Sequence, residues 1–295
     1  METLEALERR IQTTEELGSI VRTMTSLSTV SIRQYERAVE ALHDHRRAVE
    51  LGLQVVLRAT PAGRVEPAAK VTRGAFLVLG SDRGLCGRFN EAVTDLADQH
   101  IRADPGPGQP VVLAVGARAA GRLEALGHAP ETIFLVPGSV EGLAATTQAI
   151  LVGLDAWRAD AGVGRIVLVA NRQTETVPAE AYVCEILPMA SDYLRQLSRR
   201  PWPSRRLPTF SVAAPTLLSW LLRQHLYVEL FAAGAESLAS EHAARLSAMH
   251  AAKRNIEERL DEIQAAFRRE RQSAITTELL DVVSGFEALA SATSA

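Results

Sequence analysis

The chain has 295 residues, is 47% hydrophobic and contains two cysteines, which allows a packed core and excludes a disulfide framework. A formal net charge of −3 excludes the basic excess that attracts nucleic acid or anionic lipid surfaces. No run of 18 apolar residues is present, and the opening METLEALERR lacks the apolar core of a signal peptide. We therefore expect a bacterial protein of a reducing compartment that does not insert into a membrane.

A long proline-free segment opens the chain and predicts an N-terminal helix over residues 1–58. Its apolar residues are mostly three, four or seven positions apart, a spacing that places them on one stripe of a helix. The predicted stripe contains Leu4, Leu7, Ile11, Leu17, Val21, Met24 and Leu27. A helix that is apolar on one stripe needs a partner to cover it.

A linker is predicted over residues 59–74, where prolines interrupt the pattern, and a compact α/β domain over 75–191. In that domain, short apolar runs alternate with helical patterns, which is typical of a small doubly wound sheet. The predicted strands and helices cover 75–79, 90–101, 111–115, 118–126, 132–136, 140–159, 165–170 and 181–187. Residues 192–215 contain four prolines and are predicted to form a return linker.

The last segment, residues 216–295, is again free of proline and predicts a C-terminal helix. Its predicted apolar stripe contains Leu238, Leu246, Met249, Ile256, Leu260, Ile263, Phe267, Ile275, Leu279 and Val282. Since each long helix needs a partner, we predict that the two pair as a long antiparallel coiled coil with the Rossmann-like α/β domain inserted between them. Small and polar residues dilute this seam, so we expect other chains to support it.

One short stretch, SDRGLCGRFN over residues 81–90, joins a predicted strand to a predicted helix, where backbone amides can bind phosphate. The spacing of Gly84 and Gly87 does not match a dinucleotide-binding motif, and no P-loop lysine follows. The seven histidines lack metal-site spacing. We predict a structural turn, with no catalytic residue, metal or cofactor. The alternative is a soluble nucleotide-binding α/β enzyme that its coiled coil dimerises.

Near the end of the chain, Arg268, Arg269, Arg271 and Gln272 lie in a segment of mixed charge. Charges that flank regular apolar positions are typical of a solvated helix face. The alternative interpretation is that these four side chains bind acidic residues of a partner.

Four stretches together resemble one protein family, the gamma subunits of rotary F-type ATP synthases. They are LEALERRIQTTEELGSIVRTM, SDRGLCGRFN, SLASEHAARLSAMHAAKRNIEERL and RRERQSAITTELLDVVSGFEAL. The resemblance covers the whole chain in the same order, and the last stretch is the most specific.

The resemblance implies a non-catalytic central rotor-stalk subunit. Such a subunit couples ion flow through the membrane c-subunit ring, by rotation, to ATP synthesis or hydrolysis in the hexamer of alpha and beta subunits. The implied partners are the alpha and beta subunits, the epsilon subunit and the c-subunit ring, with no nucleic acid. The implied location is peripheral, on the cytoplasmic side of the bacterial plasma membrane.

The resemblance also implies roles for single residues. Arg271 and Gln272 match an arginine–glutamine pair that contacts a loop of the beta subunit, and Met24 matches a methionine near the beta subunit's lever region. Residues 279–295 would lie in an apolar sleeve of the hexamer. Two departures from the family pattern, TSLSTVSIR over residues 25–33 and the Arg88–Phe89 pair, point to a divergent complex, such as a sodium-translocating type.

Overall fold

A computed structural model describes residues 3–59, 73–104, 106 and 108–293. Its elements follow in the order α1 (Leu4–Ala59), β1 (Arg73–Leu79), α2 (Phe89–Arg102), β2 (Val111–Val115), α3 (Ala117–Ala125), β3 (Thr132–Phe134), α4 (Val140–Asp160), β4 (Val163–Arg172), β5 (Glu180–Leu187), α5 (Ser191–Arg199) and α6 (Ala214–Thr293). The chain divides into two compact units. The larger unit is Ser28–Ser247, and the smaller unit combines Met1–Leu27 with Ala248–Ala295.

The larger unit contains a five-stranded sheet in the order β3-β2-β1-β4-β5. Strands β1 to β4 are parallel, and β5 pairs with β4 in the antiparallel direction. Every residue of β2 and all but the first of β1 are buried, as expected for parallel strands that are covered on both faces. The predicted mixed α/β fold is confirmed, with each predicted strand within two residues of its observed bounds.

Helices cover both faces of the sheet, which is the doubly wound arrangement. On one face, Phe76 and Val78 pack with Val93 of α2 and Leu123 of α3. On the other face, the core contains Leu77, Leu113, Leu151, Leu154, Leu226 and Leu230, so α4 and α6 both contribute to it. The α/β domain therefore does not complete its core without α6.

Helix α5 was not predicted, because it lies in the proline-rich segment that we assigned to a return linker. Its nine residues carry too short a periodic pattern to indicate a helix. Leu197 of α5 is buried against Val49 and Leu53 of α1. The other predicted linker, 59–74, falls outside the described residues between positions 60 and 72.

Within the larger unit, α1 and α6 are antiparallel. The Tyr35 and His242 rings stack with centroids 6.0 Å apart, and a guanidinium nitrogen of Arg46 lies 3.2 Å from a carboxylate oxygen of Glu229. Later residues of α1 thus contact earlier residues of α6, which confirms the predicted direction of pairing.

In the smaller unit, the buried row of α1 differs from the predicted stripe. Leu17 and Leu27 are 50% and 62% exposed, so their assignment to the seam was wrong. A row of buried and half-buried positions is instead spaced alternately by four and three, as in a heptad repeat: Leu7, Ile11, Thr14, Gly18, Val21 and Thr25. Leu17 lies one residue from this row and Leu27 one residue from its continuation, which turns them by about 100° around the helix.

The predicted seam of α6 is also too long, since Ile275, Leu279 and Val282 are 49% to 64% exposed. A Cβ atom on Gly18 of α1 would lie 3.6 Å from Cγ2 of Ile256 of α6. Because the two helices are antiparallel, a residue of α1 and the residue of α6 that faces it have numbers that add up to about 274. Leu4, the first residue of α1, therefore faces about residue 270 of α6. Beyond that point, the described part of α1 offers no residue that α6 could pair with.

None of the described helices has an apolar stretch long enough to cross a membrane.

Candidate functional site

The turn between β1 and α2 satisfies its own polar groups. The side-chain oxygen of Asn90 accepts a hydrogen bond from the Ser81 backbone amide at 2.9 Å, and the Asn90 amide donates to the Ser81 hydroxyl at 2.7 Å. That hydroxyl donates to the Arg83 carbonyl at 2.7 Å. The amide of Ser81 is therefore not available to bind a phosphate.

Asp82 occupies the position at the carboxyl edge of the sheet where doubly wound proteins commonly bind anions. Its two carboxylate oxygens accept hydrogen bonds from the amides of Ala117, the first residue of α3, and Val136, both at 2.8 Å. The chain thus places its own anion at the start of α3. Asp82 was not predicted as a functional residue, although an acidic residue three positions after a buried strand was a usable signal.

Close backbone approach leaves little room at this edge. Gly116 has a φ of 103°, and a Cβ atom there would lie 2.6 Å from the Ser81 nitrogen. The neighbouring cavity under α4 and α6, with Leu79, Val136 and Leu230 among its lining residues, has about 30 Å³ of space open to water. Such a volume holds a water molecule or two and is far too small for a nucleotide.

Cys86 and the buried histidines do not form a reactive centre. Burial raises the pKa of the Cys86 thiol, which disfavours the nucleophilic thiolate. Burial lowers the pKa of His225 and, together with the nearby Arg245 charge, lowers that of His242 to about 4. Among the described residues, no group of three or more potential ligands could hold a metal ion.

The predicted partner-binding residues lie in the smaller unit. Arg268, Arg269, Arg271 and Gln272 are exposed on α6, and none of the three arginines has an ion pair with the described part of the chain. Met24 on α1 is half-buried. The structure does not bring Met24 into one site with the four residues of α6. Gly18 of α1 faces Ile256, and Met24 faces a still earlier part of α6, whereas Arg271 lies about 22 Å beyond Ile256 along that helix.

Exposed apolar side chains form a further feature, which was predicted in part, because the resemblance assigned residues 279–295 to an apolar sleeve while the spacing assigned Ile275, Leu279 and Val282 to the seam. On α6, they are Ile275, Leu279, Leu280, Val282 and Val283, all 49% to 64% exposed. We call these five residues the distal apolar face. Leu17, Ile20 and Leu27 add exposed apolar positions on α1. On α1, the available signal was that each of these residues lies one position away from the heptad-spaced row or its continuation.

Comparison with known proteins identifies the family. A family model described as ATP synthase matches residues 3–289. The ATP synthase gamma chain of Cupriavidus metallidurans is 30% identical over 75% of this chain and 76% of its own length. That of Herpetosiphon aurantiacus is 26% identical over 96% and 97%. The chain belongs to the ATP synthase gamma chain family.

Solved structures agree with this fold. One is a Euglena gracilis mitochondrial ATP synthase structure titled OSCP/F1/c-ring. The match covers 97% of this chain and 94% of that chain, with 16% sequence identity and a TM-score of 0.65. The chain also matches a Tetrahymena thermophila structure titled central stalk/cring, over 79% of this chain and 99% of that one, with 17% identity and a TM-score of 0.58. Family membership confirms the predicted role of a central-stalk subunit of an F-type ATP synthase, which is a non-catalytic subunit.

Proposed function

We propose that this chain transmits rotation through two sets of contacts, one between the smaller unit and a hexamer of alpha and beta subunits, the other between the larger unit and a c-subunit ring. The distal apolar face carries this proposal. Burying a leucine side chain contributes roughly 1.5–3 kcal/mol, and an exposed apolar patch on a folded protein commonly marks an interface. An apolar sleeve formed by the hexamer would cover this face.

The four polar residues before the distal apolar face suit an acidic partner. Arg268, Arg269 and Arg271 offer guanidinium groups that form paired hydrogen bonds with carboxylates, and Gln272 adds an amide donor. The Arg271–Gln272 pair is proposed to contact a loop of the beta subunit as the stalk turns. Met24, which lies apart from them, is proposed to face the lever region of a beta subunit.

The larger unit offers separate surfaces for the remaining partners. Exposed Leu207, Val212 and Trp220 lie close in sequence to Arg205 and Arg206, a mixture that suits the polar loops of a c-subunit ring. The similar Tetrahymena thermophila structure of a central stalk with its c ring supports this assignment.

The edge strand β3 exposes Ile133, and Leu135 is exposed directly after it, so this edge is the proposed contact for an epsilon subunit. We propose a peripheral location on the cytoplasmic side of a bacterial plasma membrane, a proposal that the bacterial relatives support.

The test replaces Arg271 and Gln272 by alanine in a complex reconstituted with the other subunits. Alanine has the best helix propensity, so the chain itself should keep its stability within about 0.5 kcal/mol. We expect the rate of ATP hydrolysis by the complex to fall at least threefold. Arg254→Ala, at an exposed arginine on the same helix, is the control and should leave the rate unchanged. A double variant that assembles and hydrolyses ATP at the parental rate would contradict the assignment.

A further inference from the structure

Between Ala232 and Ala244, the buried face of α6 consists mostly of small residues, whereas the large buried residues Leu226, Leu230 and Phe231 precede this stretch. Its buried positions include Ala232, Ala233, Ala235, Ala239, Ala243 and Ala244. A surface of small side chains allows close packing, but it has few projections that interlock with a neighbour. Such contacts resist sliding or turning of a helix about its own axis only weakly. In this stretch, a directional polar contact therefore adds to the packing of Leu226 and Leu230 in fixing the orientation of α6 against the α/β domain.

A buried ion pair on α6 supplies such a contact to the turn between β1 and α2. A guanidinium nitrogen of Arg245 lies 2.5 Å from a carboxylate oxygen of Glu241 and donates to the Gly84 carbonyl at 3.5 Å. Another nitrogen of the same guanidinium lies 3.4 Å from Nδ1 of His242. Both side chains of the pair are only 6% exposed. Arg245 thus links two groups of α6 to the backbone of the turn.

Apolar packing between the turn and α6 is small by comparison. It consists of Cys86 and Phe89 against Ala244, with Ala179 beside them. Between Ala232 and Arg245 of α6, one other side-chain hydrogen bond reaches the described part of the α/β domain. The Ser240 hydroxyl donates to the Pro178 carbonyl at 3.0 Å. The contact of Arg245 with Gly84 is therefore the direct polar connection between α6 and the turn.

The pair is poorly suited to be a simple stabiliser. The second carboxylate oxygen of Glu241 is buried without a hydrogen-bond partner among the described residues. Buried ion pairs commonly contribute no more to stability than apolar residues of similar size, because both charges lose their hydration. A directional role accounts better for two charges at this position, since an apolar pair would fill the same space without fixing an orientation.

We propose that Glu241 and Arg245 are positioning residues that fix the turn at residues 81–90 to α6, so that the α/β domain and the helix rotate as one body. Rotation that reaches the α/β domain from a c-subunit ring would then pass into α6 without slippage. The second part of this inference rests on the proposed function, whereas the fixed orientation of the turn is a property of the chain alone.

The experiment uses the double variant Glu241→Leu/Arg245→Met, which removes the directional contacts and keeps apolar volume in the core. In the full chain, amide hydrogen exchange of residues 81–90 should become at least tenfold faster. In vesicles that contain the complete complex, the number of ions moved per ATP hydrolysed should fall to half or less, with ATP hydrolysis within twofold of parental. The control, Lys253→Met/Glu257→Leu, removes an exposed pair with the same spacing on α6 and should change neither quantity.

The proposal is overturned if amide hydrogen exchange of residues 81–90 in the double variant is as slow as in the parental chain. It is also overturned if exchange is faster but the number of ions moved per ATP hydrolysed stays at the parental value. If the double variant does not assemble, Arg245→Lys decides, because one ammonium group cannot bind Glu241 and Gly84 with the geometry of a guanidinium. A parental ratio for this variant would also overturn it. A parental chain that supports no ion transport would contradict the proposed function instead, and exchange in the chain alone would then decide whether the pair fixes the turn.

Discussion

Two stretches of the same helix differ in how their apolar side chains are covered. Between Leu226 and Met249, α6 is buried at most positions by the sheet, α4 and α1. Between Ile275 and Val283, its large apolar residues are all about half exposed or more. Both stretches carry apolar residues at helical spacing. Such spacing therefore predicts an apolar surface that needs a partner, but it does not predict whether the same chain or another chain buries that surface.

Truncating one large side chain in each stretch tests this difference in burial most directly. Phe231 lies in a buried cluster with Tyr35 and Leu143, so Phe231→Ala should lower the free energy of unfolding by about 3–5 kcal/mol. Leu279→Ala should lower it by less than about 0.5 kcal/mol. Urea unfolding of the chain alone, followed by circular dichroism, measures both. Equal losses would show that the chain itself covers the distal apolar face.

A second prediction concerns pH and applies to the buried stretch only. The pKa of His242 is lowered to about 4, so its neutral form is favoured in the folded state, and stability is lost as the pH falls below the ordinary value of about 6.5. At pH 5 this loss amounts to about 2 kcal/mol. His242→Phe keeps an aromatic ring beside Tyr35 and should remove this loss, measured as the difference in unfolding free energy between pH 7 and pH 5.

The control for this prediction is His43→Phe, because the side chain of His43 is 77% exposed. It should keep the parental pH dependence. If His242→Phe and the parental chain lose the same stability between pH 7 and pH 5, other groups cause the acid sensitivity.

The smallest effect is expected in the exposed stretch. Leu279→Gln/Leu280→Gln makes two positions of the distal apolar face polar and should change the unfolding free energy of the chain alone by no more than about 0.5 kcal/mol. The same variant should bind the hexamer of alpha and beta subunits at least tenfold more weakly, because apolar burial is lost. Asp281→Asn, between the exposed leucines and valines, is the control. A stability loss above about 1 kcal/mol, or unchanged binding, would contradict the proposed role of this face.

The centre of the sheet was predictable because the runs 75–79 and 111–115 are continuous apolar stretches bounded by glycine or proline. Runs such as 111–115 are buried on both faces and have few other structural solutions. Helix α5 was missed because its pattern is only nine residues long and lies among prolines. The stripe of α1 was predicted correctly at Leu7, Ile11 and Val21, and wrongly at Leu17 and Leu27, because every leucine at roughly helical spacing was counted.

The candidate site was predictable only in part. A resemblance pointed to Arg271 and Gln272, whose exposure is compatible with that role, and their contacts stay predictions. Asp82 and the Glu241–Arg245 pair escaped sequence analysis, because their roles depend on residues 35 to 161 positions away in the chain. Long-range hydrogen bonds of this kind leave no periodic pattern.

The separation of Tyr35 and His242 in sequence has a consequence for the order of folding. Their stacked rings are joined by more than 200 residues of chain, and closing so long a loop slows folding when it must occur first. The sheet removes much of this difficulty, because β1 to β5 form between the two helices and draw their ends together. During synthesis, α1 leaves the ribosome long before α6 exists. We therefore expect the nascent N-terminal helix to need a chaperone until α6, which has 80 residues, has been made.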